Sequence, residues 1–455
     1  MRVILCTDFG STFTKLTAID TATGEIIATA RAFTTIDSNV MLGFETALTE
    51  IHAMCGVRDF EVRLAASSAA GGLKMVSCGL VPDLTAKASR LAAASAGAKV
   101  VKTFSYELTS ADVMEIEEIC PDIILLSGGI DGGNKDVLLR NANALAQISG
   151  GFCVIVAGNR TAVDVAQETL ANAGKRVVTC ENVMPQFGKL NIDPAKNAIR
   201  DIFIQNIISA KGLDAAQQFM SAEVIPTPLA VFNAARLFAE GLNDESGFEE
   251  GLGELMVFDL GGATTDVYSM ASGLPNNKQV YVQGLIEPFA KRTVEGDIGM
   301  RYSLGAMLDV VEEKDADILT WQAICQSNPA VLAVGEYKHF SPVEQFLATE
   351  AIRLSAARHV GFYETAYTPM GDTTIQTGKD LTQVKYVIGT GGAIIGAEDP
   401  LAILQAATYL PGDGSLLKPL SPKLLLDIDY CLSAVGLLAQ QFPRLALEMM
   451  KRRFA

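Results

Sequence analysis

One short pattern occurs twice in this chain, and it constrains the fold more than any other feature. The first copy is "VILCTDFGSTFTKLTAID" (residues 3–20) and the second is "ELMVFDLGGATTDVYSM" (residues 254–270). Each reads as an apolar strand, an aspartate, one more residue, a glycine, a set of small and hydroxyl residues, and a second strand. The aspartates are Asp8 and Asp259, 251 residues apart. A strand–Asp–x–Gly–hairpin unit repeated at that distance predicts two domains of one topology.

The residue types in the repeat point to polyphosphate chemistry. Gly10, and Gly261 with Gly262, let the backbone approach a ligand closely. Ser11, Thr12, Thr264 and Thr265 add hydroxyls to the backbone N–H groups that hold phosphate oxygens. A bare carboxylate repels phosphate, so two aspartates at the hairpin starts imply a cation between them. Mg²⁺ that keeps part of its water shell suits such a pair. Lys15 reads either as a point charge on the phosphates or as a solvated lysine. Asp266 reads either as a ligand contact or as a brace for its hairpin. For Asp8 and Asp259 alone, turn formation is the simpler explanation; their repetition favours the ligand role.

A third glycine cluster, "KYVIGTGGAIIG" (residues 385–396), is a strand followed by Gly389, Gly391 and Gly392 and then a helix. It lacks the G-x-G-x-x-G spacing of a dinucleotide fingerprint. Its bare backbone suits a flat base or sugar. "LLSGGIDGGNKDV" (residues 125–137) tempts a phosphate-loop reading, but Asn134 precedes Lys135 and Asp136 stands where a hydroxyl is needed. It is expected to turn a strand into a helix, with an anion at the helix start as the alternative.

Composition closes off several function classes. The 455 residues carry a formal net charge of −16, which makes a nucleic acid or an anionic membrane a poor partner. No apolar run is long enough for a membrane span, and the first residues lack the form of a signal peptide. The expected location is the cytoplasm. The eight cysteines are scattered, no two within twenty residues, which fits buried free thiols and not a metal or disulfide framework. With three histidines in the chain, a histidine metal cluster or triad is not expected, and His359 is read as structural.

Residues 97–187 alternate strand and helix, which argues a parallel α/β unit; its status as an insertion into the first half is implied by the family resemblance of the flanking motifs, not by the alternation. The expected organisation is residues 1–250 as a first domain containing that insertion, residues 251–426 as a second, and a helix within 427–455 that packs back on the first. A helix is expected over Thr85–Ala96, and residues 240–254 read as an acidic, glycine-rich loop.

The order "DFGSTFTK", "DLGGATTD", "GTGGA" resembles the phosphate-1, phosphate-2 and adenosine motifs of the actin, DnaK-type chaperone and sugar-kinase superfamily. That resemblance implies an α/β fold of duplicated actin-like (ribonuclease H-like) ATPase domains binding ATP or ADP with Mg²⁺. It implies Asp8 and Asp259 as metal-organising residues, with Thr264 joining them in catalysis. Gly10, Ser11, Thr12, Lys15, Gly261, Gly262 and Asp266 would face phosphates. Gly391, Gly392 and Ala393 would receive the adenosine. Glu295, in "VEGDIGMRYSL", resembles a position near the nucleotide, although Glu295 and Asp297 also read as a helix cap and its neighbour.

Longer blocks are similar to a narrower family, the accessory protein of adenosylcobalamin-dependent glutamate (methylaspartate) mutase and related aminomutases. They include "ASSAAGGLKMVSCGLVPDLTAKAS", "LLSGGIDGGNKD" and "LLLDIDYCLSAVGLLA" and span nearly the whole chain. This resemblance implies a chaperone-like reactivating factor that uses ATP to release damaged cobalamin from such a mutase; the inserted unit, being extra to the superfamily core, is the candidate mutase-facing part. One departure is visible. Chaperones of the superfamily carry a water-positioning glutamate before a Pro-Thr pair, and here "AEVIPTP" places Ile225 there and Glu223 two residues earlier. Slow basal hydrolysis follows as an expectation. A filament-forming ATPase, a small-molecule kinase and a homo-oligomer remain open alternatives.

Overall fold

The structure, a computed structural model, describes the chain apart from residues 1, 11, 36–38, 69–72, 81–87, 89–91, 93–97, 209–212, 246, 278, 285, 312–314, 369–370 and 455. It divides into two compact units. One comprises Met1–Gly71 with Lys211–Ala455, the other Gly72–Ala210.

The larger unit holds two five-stranded sheets. The first runs in the order Ile225–Pro226, Val62–Ser67, Val3–Phe9, Phe13–Asp20, Ile26–Phe33. Val3–Phe9 pairs antiparallel with Phe13–Asp20 and parallel with Val62–Ser67. Its apolar run is buried almost throughout, as a central strand requires, while Ile26–Phe33 alternates buried and exposed at the sheet edge. The second sheet runs Ala290–Glu295, Thr265–Met270, Leu255–Leu260, Tyr386–Thr390, Lys423–Leu426. Here Leu255–Leu260 is the central strand, antiparallel to Thr265–Met270 and parallel to Tyr386–Thr390. Strand for strand, the two sheets share order and direction. This is the duplicated actin-like α/β architecture, and the repeated hairpins are the first two strands of each copy.

Leu255–Leu260 shows how the period of two builds the interior. Leu255 and Val257 join a core with Ile4, Leu64 and the C-terminal helices, whereas Met256, Phe258 and Leu260 join one with Trp321, Leu347 and Ile352. The C-terminal segment is two helices, Leu432–Leu438 and Pro443–Phe454, where one was expected, and their core includes residues of both sheets. Helix Leu432–Leu438 crosses helix Thr227–Glu240 at Gly436, where a Cβ would lie 1.8 Å from the Ala230 carbonyl oxygen.

The smaller unit is a parallel sheet in the order Ala98–Ser105, Leu73–Gly79, Ile123–Leu126, Cys153–Val156, Arg176–Thr179. Helices Ser110–Ile119, Asp136–Gln147 and Val163–Asn172 connect successive strands. The expected bounds of 97–187 miss Leu73–Gly79. That strand follows Val62–Ser67 so closely that the two read as neighbours, yet it pairs on both sides with later strands of the smaller unit. Most of the helix expected over 85–96 lies outside the described residues, although Ala88 and Ala92 are helical. The loop expected at 240–254 contains a hairpin, Leu242–Asp244 against Gly247–Glu249. Of the cysteines, Cys120 is exposed, and none of the eight is in a disulfide. Among the described residues, no helix is long and apolar enough to cross a membrane.

Candidate functional site: two facing hairpins

Both hairpins close with the same backbone contact. Gly10 N–H donates to the Phe13 carbonyl at 3.1 Å, and Gly261 N–H donates to the Thr264 carbonyl at 2.9 Å. A Cβ on Gly10 would lie 2.6 Å from the Phe13 oxygen, so glycine is needed for that turn. The turns come together: a Cβ on Gly262 would sit 3.5 Å from the Thr12 hydroxyl. Ser11 lies outside the described residues.

Asp8 faces Lys15 across the first hairpin, and Asp259 faces Asp266 across the second. Burial pushes the Asp8 carboxyl up, while Lys15 and hydrogen bonds from Thr227 and Ser433 pull it down. Thr227 donates to Asp8 at 2.6 Å. Asp259 is pushed up to about 7 by burial and then by Asp266; Lys15 opposes this, and Asp8 and Asp427 add to it. These groups therefore share one electrostatic neighbourhood. Lys15 offsets only part of the cost of charging these half-buried carboxylates, and a cation would supply the rest.

Lys15 is not simply solvated. Its ammonium lies 4.3 Å from the centroid of the Tyr430 ring, which holds it by cation–π attraction. Asp266 is placed as a brace: one oxygen accepts from Arg292 Nε at 2.8 Å, and the other from Thr264 Oγ1 at 3.3 Å. Glu295 and Asp297 both pair with Arg358, at 2.9 and 2.8 Å.

The segment after Glu295 is bound to the second hairpin. The Gly262 carbonyl accepts from the N–H groups of Arg301 and Tyr302 at 2.8 and 2.9 Å. Gly391 (φ 98°) crosses the second sheet so closely that a Cβ would lie 2.3 Å from the Leu260 oxygen. Gly392 opens the short helix Gly392–Ile395, and a Cβ there would meet nothing within 4 Å. Ala393 packs partly buried against the core. Thus the structure gathers Asp8, Thr12, Lys15, Asp259 and Gly262, and holds Asp266 and Glu295 in ion pairs.

Comparison with known proteins now bears on identity. The family model described as "MutL protein" matches residues 4–454. The chain belongs to the MutL family. A curated relative, "Protein MutL" of Clostridium tetanomorphum, is 43% identical over 465 residues, covering 99% of each chain. Among solved structures, a glycerol dehydratase reactivase is 12% identical over 96% of this chain and 99% of its own, with TM-score 0.36. The ethanolamine utilization protein EutJ of Carboxydothermus hydrogenoformans is 11% identical over 98% of this chain and 90% of its own, with TM-score 0.30. No functional weight rests on likenesses this distant; the strand order above is this chain's own.

In this MutL-family chain, several site residues escape a motif search. Asp427 follows the strand Lys423–Leu426, is buried, and accepts from Thr390 Oγ1 at 2.9 Å and from the Cys431 and Leu432 N–H groups at 2.8 and 3.1 Å. The signal was present: "LLLD" is a third apolar strand ending in aspartate, like those before Asp8 and Asp259. Thr227 lay in the quoted "IPTP". Tyr430 and Ser433 lie in the quoted block "LLLDIDYCLSAVGLLA", but nothing local gives them a site role, because only the fold brings the C-terminal turn to Lys15 and Asp8.

Proposed function

We propose that this protein binds ATP with Mg²⁺ between its two hairpins and acts as a reactivating factor for an adenosylcobalamin-dependent mutase of the glutamate mutase type. What supports nucleotide binding is the pair Asp8 and Asp259, each half-buried on the first strand of two topologically identical sheets. MutL family membership and the sequence blocks shared with mutase accessory proteins support the partner.

The donor set fits a divalent cation: two carboxylates short of positive charge, beside hydroxyls at Thr12 and Thr264. A magnesium ion held there through its waters would offset the repulsion between these carboxylates and a triphosphate. The chain's own part is positioning. Gly10, Gly261 and Gly262 present backbone to the phosphates, Thr227 and Ser433 orient Asp8, and Arg292 fixes the hairpin through Asp266. Such chemistry needs no protein nucleophile. Ile225 is buried, and Glu223 is exposed. Water activation therefore has no carboxylate at Ile225, and basal hydrolysis is slow. Damaged cofactor would leave the mutase when nucleotide-dependent rearrangement of the two halves opens its site.

The test is recovery of activity. Glutamate mutase inactivated by turnover is given this protein, Mg-ATP and fresh adenosylcobalamin, with Asp8→Ala in parallel. Recovery with the wild type alone is the expected result. Failure with the wild type, while ATP still binds, would reject the reactivating role and leave nucleotide binding standing. Basal turnover at the rate of a metabolic kinase would contradict the slow-hydrolysis expectation.

A further inference from the structure

We infer that the smaller unit, Gly72–Ala210, carries a second small-molecule site, built for a ligand with a flat apolar ring and an anionic oxygen group, of the mononucleotide class. Numbered from Leu73–Gly79, its parallel strands lie in the order 2-1-3-4-5. The order reverses between Leu73–Gly79 and Ile123–Leu126. In open parallel sheets, ligands bind beyond the carboxyl ends of the strands at such a reversal.

A cavity of about 300 Å³ lies at that place, within the range of small-molecule sites. Leu80, which follows the first strand, and Ser127, Gly128 and Gly129, which follow the third, line it. Ala88, Ile130, Val183, Met184 and Phe187 add apolar wall. Phe187 is 80% exposed, an aromatic ring that lacks burial of its own. Among the described residues that line it, none is lysine, arginine, aspartate or glutamate, and the side chains there suit an uncharged ring.

The glycine loop supplies the polar end. Among the described residues, the N–H groups of Gly128, Gly129 and Ile130 have no protein acceptor. Consecutive N–H groups on a cavity wall that bond to no described residue favour an anionic oxygen. The loop is held in shape before any ligand arrives. Buried Asn182 donates to the Gly129 carbonyl at 2.9 Å and to Asp131 at 3.0 Å. Buried Asn159 accepts from Gly132 N–H at 3.1 Å and donates to the Gly133 carbonyl at 2.9 Å. Gly129 (φ 71°) passes so close to Asn134 that a Cβ would lie 2.0 Å from its carbonyl oxygen. Two buried asparagines and a glycine-only conformation fix one loop beside one cavity. Preorganisation of this kind lowers the entropic cost of binding.

The experiment uses the full chain and three probes: FMN, riboflavin and AMP, followed by calorimetry and flavin fluorescence. Saturable binding of FMN by the wild type is expected, and of AMP by Asp8→Ala, with riboflavin at least tenfold weaker than FMN because it lacks the phosphate. Met184→Trp, which fills the cavity, should weaken binding at least tenfold, and Phe187→Ala, at an exposed position, should weaken it several-fold without altering the fold. Asp8→Ala should leave FMN binding unchanged, which separates this site from the nucleotide site of the larger unit. The inference is overturned if FMN does not bind saturably, if Met184→Trp binds FMN like the wild type, or if Asp8→Ala abolishes FMN binding.

Discussion

At the residue scale, adjacent glycines at the proposed adenosine position have opposite reasons to be glycine. Gly391 is fixed by the fold: it has a positive φ and no room for a Cβ against Leu260. Gly392 has open space where its Cβ would be. Gly391→Ala should therefore cost about 2–3 kcal/mol of stability through backbone strain and displacement of the Leu260 strand. Gly392→Ala should leave the urea midpoint unchanged and weaken ATP several-fold by occupying the space a sugar or base would use. Urea titration and calorimetry on both variants check the contrast; a Gly392→Ala protein with unaltered ATP affinity would remove this residue from the site. The sequence presented both as one glycine cluster. Only the distance to Leu260, a contact between strands far apart in the chain, divides them. Asp266 teaches the same point. Its place in the repeat was legible, but its pairing with Arg292 depends on strand Ala290–Glu295 lying antiparallel beside Thr265–Met270.

At the scale of elements, what could be read in advance was whatever is local. The hairpins were legible because an apolar strand, a glycine turn and a second strand lie within twenty residues. Leu73–Gly79 falls outside the expected 97–187 because its partners, Ala98–Ser105 and Ile123–Leu126, come later and no local signal names them. A polar cluster at the end of helix Ser341–His359 was equally hidden. His359 is buried, with its ring within 2.8 Å of both Ser269 Oγ and Thr293 Oγ1, and its carbonyl accepts from Lys291 Nζ at 2.7 Å. Burial, then Lys291 and Lys379, hold its pKa well below the ordinary 6.5. The folded state thus refuses a proton that the unfolded chain accepts. This site's contribution is fully present above about pH 6.5 and is lost as pH falls, by up to ~1.4 kcal/mol per pH unit. Urea midpoints measured from pH 7 to pH 5 should fall more steeply for the wild type than for His359→Gln. Equal slopes would mean that His359 is protonated in the folded protein.

At the scale of the whole molecule, each unit encloses its own hydrophobic core. In the smaller one Val76, Ile124, Leu126 and Val154 pack with Leu138, Leu145 and Leu170. In the larger one the duplicated sheets and the C-terminal helices supply the interior. Separate cores allow separate unfolding, so one midpoint need not describe the chain. A ligand that binds only folded protein stabilises the unit that holds it, by about 2.7 kcal/mol at a hundredfold excess over its Kd. Calorimetric melting should therefore resolve two transitions. Mg-ATP should raise one of them and FMN the other; EDTA should cancel the first shift and spare the second. Asp8→Ala should abolish the ATP shift alone, and Met184→Trp the FMN shift alone. The duplicated sheets make a further demand. Asp8 and Asp259 lie in different sheets of one unit, so losing either carboxylate should remove the whole ATP shift and not half of it. A half-sized shift in Asp259→Asn would mean that the two hairpins bind separately, and that their facing arrangement does not form a single nucleotide site.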